Sequence, residues 1–154
     1  MRKLRWALAF GLCGCFLTNT SPAKKIGDSV HNLNEQTRWG RISDASLLVE
    51  PSYREAFVNQ HQSWGSEIQL ADSEILNVQI APGNEHANAL ITYSWYAMDS
   101  MTLHETTVRQ RWAALGGNYA LVSETVVKGD ARLLQATATA DKPNASTGDL
   151  SRAP

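Results

Sequence analysis

The stretch His86–Leu121, HANALITYSWYAMDSMTLHETTVRQRWAALGGNYAL, decides the fold. In its first run Ala87, Ala89, Ile91, Tyr93 and Trp95 alternate with Asn88, Thr92 and Ser94. In its second run Val108, Gln110 and Trp112 alternate with Thr107, Arg109 and Arg111. A period of two sends the two sets to opposite faces of a strand. Asp99-Ser100 separates the runs and Gly116-Gly117 closes the second, while Pro82-Gly83-Asn84-Glu85 precedes the first. Each is hairpin chemistry, so the stretch extends on both sides into a four-stranded antiparallel meander.

The turns predict a register. Pairing Ala81 with His86, Met98 with Met101 and Leu115 with Asn118 fixes every cross-strand neighbour by counting. One face then collects Leu76, Val78, Ile80, Ala87, Ala89, Ile91, Tyr93, Trp95, Val108, Trp112, Tyr119 and Leu121, which is the expected core. The other collects Thr92, Ser94, Glu105, Thr107, Arg109, Arg111, Glu124 and Lys128, with Glu105 opposite Lys128 and Arg109 opposite Glu124. Opposite charges facing one another across strands suit a solvated face.

Upstream the pattern is helical. Asp28 or Ser29 caps a helix to about Trp39, with Val30, Leu33 and Thr37 on one side and Gly40 as its stop. Ser43 caps a short segment, Asp44 to Val49, that ends before Pro51. A third helix, about Ser52 to Ser63, aligns Tyr53, Ala56, Phe57, Gln60 and Trp64. The fold class is therefore α+β, with N-terminal helices packed on a curved four-stranded antiparallel meander. Arg38-Trp39-Gly40, Tyr53 to Trp64, Thr92-Tyr-Ser-Trp-Tyr96 and Glu105 to Trp112 are the residues on which the chain resembles the NTF2-like (cystatin-like, cone-shaped α+β) superfamily. The segment is also similar to lipoproteins of delta-proteobacterial type. The superfamily hosts isomerases, dehydratases, transport adaptors and domains without catalysis, so the resemblance implies a fold and leaves the reaction open.

The N-terminus carries an address. Arg2, Lys3 and Arg5 precede an apolar run, Trp6 to Leu12, and Leu12-Cys13-Gly14-Cys15 resembles the lipobox of bacterial lipoproteins. The run is far short of the roughly twenty residues that span a bilayer. The resemblance implies cleavage before Cys15 and a diacylglycerol on its thiol, and Phe16 in place of Asp favours the outer membrane. Cys13 leaves with the signal and Cys15 carries lipid, so no thiol remains for a disulfide, a metal or a nucleophile. Loss of Arg2, Lys3 and Arg5 takes fourteen basic residues to eleven against fifteen acidic ones, a charge of minus four. No basic stripe for nucleic acid is present. The expected organisation is a signal over 1–14, a lipidated tether over 15–25, one domain over 26–134 and a disordered tail over 135–154.

Chemistry is sparse. Counting sets Glu74 beside Tyr93 and Thr106, and Asp72 beside Trp95 and His104, so Asp72, Glu74, Tyr93 and His104 are the catalytic candidates. The resemblance implies that acid and base groups of this kind work inside the cone. A bulge at Ala71-Asp72-Ser73 would instead swing both carboxylates into solvent, and Ile75 interrupts the alternation. Gln110, Ser123 and Thr125 fall on the core face and need hydrogen-bond partners or a wet pocket, which makes Gln110 and Trp95 the ligand-binding candidates. His31, His61 and His86 lack metal spacing, so no metal and no cofactor are expected. Three functions remain. The first is an envelope lipoprotein whose domain binds a small apolar ligand or a protein partner without catalysis. The second is an isomerase, dehydratase or hydrolase working in the cone. The third is a structural module that homodimerises through Leu90, Val122 and Val126 on the open sheet face.

Overall fold

The computed structural model describes residues 20–135. The signal segment, Cys15 and the expected tail beyond Gln135 lie outside the described residues. Helix α1 spans Pro22–Arg38, capped by Ser21, whose side chain accepts from the Lys24 N–H at 3.3 Å. Ser-Pro is an N-cap followed by a residue already fixed at helical φ, so the helix begins before Asp28 and takes residues 22–25 from the expected tether. Its buried stripe is Ile26, Ser29, Val30, Leu33, Asn34 and Thr37. Gly40 takes a φ of 67° just past the helix end, where the chain turns back. Helix α2 (Ile42–Ala45) runs into a 3-10 turn (Ser46–Leu48), and helix α3 spans Arg54–His61.

Strands β1 (Ile68–Ile80), β2 (His86–Ala97), β3 (Leu103–Leu115) and β4 (Asn118–Gly129) form one antiparallel sheet in the order β1-β2-β3-β4. A second 3-10 turn, Ala131–Leu134, follows β4. No helix among the described residues is long and apolar enough to cross a membrane.

The central pair keeps its expected register throughout, from His86 opposite Ala113 to Trp95 opposite His104. The outer strands keep it only near their hairpins, at Ile80–Ala87 and Leu115–Asn118. Bulges at Leu76 and Ala71 in β1, and at Val122 and Val127 in β4, each insert one unpaired residue. One insertion moves every later side chain to the other face until a second restores it. Several expectations are corrected in consequence. Glu74 lies opposite Thr92 and Asp72 opposite Ser94, and Leu76 is exposed. Glu124 lies opposite Gln110 and is buried, while Arg109 meets Thr125 and Lys128 meets Thr107. Ser123 and Thr125 move to the open face. Val126 pairs with Val108 and packs on the core, so the apolar trio expected on the open face does not hold together, while Leu76 and Val127 stand there beside Thr92, Glu105, Thr107 and Lys128.

The bulges bend the sheet around the helices. Near the Val122 bulge the chain after the first 3-10 turn docks on β4, with the Glu50 N–H donating to Leu121 O at 2.8 Å. Helix α1 crosses the concave face diagonally. Lys25 near its start donates to Gly117 O in the β3–β4 turn at 2.8 Å, and Arg38 at its end donates to Ala71 O in β1 at 3.1 Å. Between helices and sheet lies one core, with Ile26, Val30, Leu33, Phe57, Trp64 and Leu133 facing Ile91, Tyr93, Trp95, Val108, Trp112 and Leu121.

Candidate functional site

The shifted β4 register builds a polar cluster inside this core. His61 at the end of α3 and Glu124 of β4 approach at 3.1 Å between Nε2 and Oε2, with side chains 0% and 1% exposed. The His61 Nδ1 lies 2.7 Å from the Phe57 carbonyl oxygen. A carbonyl only accepts, so Nδ1 carries a proton. A neutral ring would then present a bare Nε2 lone pair to Glu124. Two acceptors cannot face one another in a sealed core without a large penalty, so the pair holds one proton between them, as imidazolium and carboxylate or as imidazole and carboxylic acid. Neither atom makes a hydrogen bond among the described residues, so this close approach is the one polar contact each has.

The remaining lone pairs of the cluster are shared. Gln110 Nε2 donates to Glu124 Oε1 at 3.0 Å and lies 3.3 Å from the Tyr93 hydroxyl and 3.2 Å from Asn34 Oδ1. Asn34 Nδ2 donates to Val30 O at 2.7 Å, and the Tyr93 hydroxyl donates to Asn34 Oδ1. On the other side the Glu124 N–H donates to the Tyr53 hydroxyl at 3.2 Å, which donates to Gln60 Oε1 at 2.6 Å. Burial, reinforced by the Glu124 charge, pushes the Tyr53 phenol up to about 12. The same causes, burial first, hold Tyr93 well above the ordinary phenol range against the hydrogen bonds from Gln110 and Thr37. Trp64 stands beside the pair, its ring edge-on to His61 at 4.3 Å and to Tyr93 at 5.3 Å, and its Nε1 donates to Leu133 O at 2.8 Å.

The sequence-derived catalytic set does not assemble. Asp72 is 66% exposed and pairs with Arg38 at 3.2 Å. With Glu74, it lines a shallow 320 Å³ cleft between β1 and α1 whose other members include His31, Asn34 and Glu35. Tyr93 belongs to the buried cluster. His104 lies elsewhere, stacked on Trp95 at 4.6 Å with its Nδ1 3.9 Å from an Asp130 carboxylate oxygen. Gln110 is fully buried, bonded within the cluster, and lines none of the clefts described here. No metal-binding group of three or more His, Cys, Asp or Glu occurs among the described residues.

Trp95 is the candidate that reaches a cavity. A 620 Å³ cleft opens at the β2–β3 end of the sheet, between the α3–β1 turn (Ser63, Ser66, Glu67, Ile68), the end of β2 (Trp95, Ala97, Met98, Asp99) and the last 3-10 turn (Arg132, Gln135). Its volume is that of a small-molecule site. Trp95 is held from below by its Nε1 hydrogen bond to Thr106 Oγ1 at 3.0 Å, and the Arg132 guanidinium lies 6.0 Å over its ring. The cleft and the buried cluster are separate places, the Trp64 ring standing against His61 and its neighbour Ser63 lining the cleft. The cleft is open to solvent, and the polar cluster is sealed from it.

Sequence reasoning missed His61, Glu124 and Asn34. His61 carried a usable signal, since it stands four residues after Phe57 and so shares that residue's buried face. Asn34 likewise stands four residues after Val30. Glu124 carried none, because its burial depends on the Val122 bulge.

No protein-family model matches the chain, and no curated protein matches it in sequence. In structure the chain is similar to a SEC-C motif-containing protein from Rhodopseudomonas palustris, with a TM-score of 0.58 at 10% identity over 71% of this chain and 83% of that one. The intermembrane space region of the chloroplast protein ARC6 gives a TM-score of 0.46 at 8% identity over 64% of this chain and 94% of that one, and carries no argument. The first likeness concerns the fold alone.

Proposed function

We propose that this chain is a lipid-anchored envelope protein whose domain, an NTF2-like cone, binds a small apolar ligand in the cleft beside Trp95 without acting on it chemically. The observation that carries the reading is the 620 Å³ cleft, with Ile68, Trp95, Ala97 and Met98 as its apolar lining. The candidate acid and base groups are not gathered in it. The His61–Glu124 pair, which could move a proton, has no exposed surface, and its burial suits a role in fixing how α3 sits on the sheet. A homodimer through the open face has less support, because the apolar residues there, Leu76, Leu90 and Val127, are set among Glu105, Arg109 and Lys128.

The proposed anchor fits the placement of the cleft. Helix α1 starts beside the β3–β4 turn, and the cleft lies by the β2–β3 turn, at the other end of strands of 12 and 13 residues. At about 3.3 Å per residue the two ends stand roughly 40 Å apart. A tether from Cys15 therefore enters at the far end from the ligand, which leaves the cleft open to an envelope compartment, with the outer membrane favoured by Phe16.

Mass spectrometry of the membrane-extracted chain tests the anchor: the fragment Cys15–Lys24 should carry acyl groups, and an intact Met1 or an unmodified residue 13 in the mature chain refutes it. Solvent extraction of the same preparation tests the cleft. A small molecule should co-purify with the wild type and be lost from Ala97→Trp, which fills the cleft. Retention of the molecule by that variant refutes the assignment.

A further inference from the structure

We infer that the cleft selects a small amphiphile carrying a cationic group, such as an amine on an apolar body. The inference rests on reading the cleft as a ligand site and concerns what its rim would choose. The Met98 N–H donates to Glu67 O at 2.9 Å, which brings the start of β1 against the end of β2 and sets Glu67 and Asp99 at one corner of the cleft. Glu67 has no hydrogen-bonded or ion-pair partner among the described residues, and Asp99 makes no direct bond there, though its charge acts on Arg132 across the cleft. The one guanidinium of the lining is already engaged. Arg132 Nη2 and Nε donate to Asp130 Oδ2 at 2.6 and 2.9 Å, and Nε reaches Oδ1 at 3.1 Å. Arg132 and Asp130 cancel, so Glu67 and Asp99 leave the rim with two net negative charges over an apolar floor.

Each class of ligand meets a different field. A carboxylate or phosphate would add a third negative charge at the rim, or would have to displace Asp130 from a short, multiply bonded guanidinium. A neutral molecule would bury its apolar body and leave both rim carboxylates to water. A cation gains from both, by a modest amount at a rim open to solvent, since such pairs are screened and individually weak.

The test uses the full chain reconstituted in lipid nanodiscs and three probes with one apolar body: 1-naphthylmethylamine, 1-naphthylmethanol and 1-naphthoate. Binding is read by equilibrium dialysis, with the Ala97→Trp chain in the same bilayer subtracted as background. Ser66→Trp, built from the exposed rim, serves as a second block if Ala97→Trp disturbs the fold. The amine should bind about tenfold tighter than the alcohol, with the carboxylate weakest. That preference should shrink toward unity in about 0.5 M salt and in Glu67→Gln/Asp99→Asn, while the affinity of the alcohol stays constant. Equal affinity for all three probes, abolished by the blocking variants, overturns the charge selection and leaves the cleft as a ligand site. Absence of binding, or binding that neither blocking variant removes, overturns the site itself.

Discussion

The His61–Glu124 pair offers the sharpest test of how this core is held. Its atoms lie 3.1 Å apart with side chains 0% and 1% exposed, so neither partner can recover solvation if the other is removed. Removing one member of such a pair costs about 3–5 kcal/mol by leaving the other buried and unpaired, whereas replacing both leaves no lone charge, so the two losses do not add. His61→Leu should therefore lose about 3–4 kcal/mol, through a lone Glu124 and the lost bond to Phe57 O. Glu124→Leu should lose a similar amount, because Gln110 also loses an acceptor at 3.0 Å. The double variant should lose only about 3–4 kcal/mol, giving a coupling of roughly 3 kcal/mol. Urea unfolding followed by circular dichroism near 15 °C, where domains of this size are close to maximal stability, measures all four corners of the cycle. Losses that simply add, with a coupling below about 0.5 kcal/mol, would refute the shared proton and leave His61 and Glu124 as independent buried groups.

Four further outcomes follow from the local environments of single residues. Tyr93 keeps its proton in the folded state above the ordinary 10.0, so its stabilisation is complete below that pH and is lost as pH rises. The loss runs at about 1.4 kcal/mol per pH unit. Tyr53, at about 12, adds a comparable slope until the pH nears that value, so Tyr93→Phe should remove about half of the decline in urea midpoint between pH 10 and pH 11.5. Asp130 runs the other way. The Arg132 hydrogen bond holds its carboxyl below 3.8, so its contribution is present above that pH and fades as acid is added, and Asp130→Asn should flatten the acid limb of a stability profile. Gly129→Ala should cost about 3 kcal/mol or more in denaturant unfolding, since φ is 95° and a Cβ would lie 2.3 Å from Glu105 O. Gly27→Ala, with open space around it inside α1, should instead stabilise by about 0.5–1 kcal/mol.

The legibility of this chain divides at the bulges. Strand β2 pairs with β3 without a break, and there counting from a single turn gave every neighbour, including Trp95 opposite His104. Alternation also identified Gln110 as an inward polar residue in need of partners, which Asn34, Tyr93 and Glu124 supply. In β1 and β4 the same counting failed beyond the first few pairs, and the charged residues were the ones misplaced. Simple counting put Asp72 and Glu74 inside, and they lie outside, the outcome given for a bulge near Ala71, while Glu124 was expected outside and lies inside. The composition of β4 cannot announce this, because Val122 and Val127 suit either face.

By itself the sequence determined the local structure: the body of α1 from its apolar stripe and its Gly40 stop, the hairpins from Pro82-Gly83-Asn84, Asp99-Ser100 and Gly116-Gly117, and the central strands from their period of two, while the start of α1 at Ser21-Pro22 emerged from the structure. These are set by contacts within a few residues, where steric preference and alternation act directly. The tertiary structure decided which polar groups meet. Curving the outer strands around α1 and α3 required one-residue insertions, and each insertion reverses the facing of all that follows. The pairing of His61 with Glu124 follows from the Val122 bulge, and Glu67 and Asp99 come to line one cleft because the start of β1 is bonded to the end of β2.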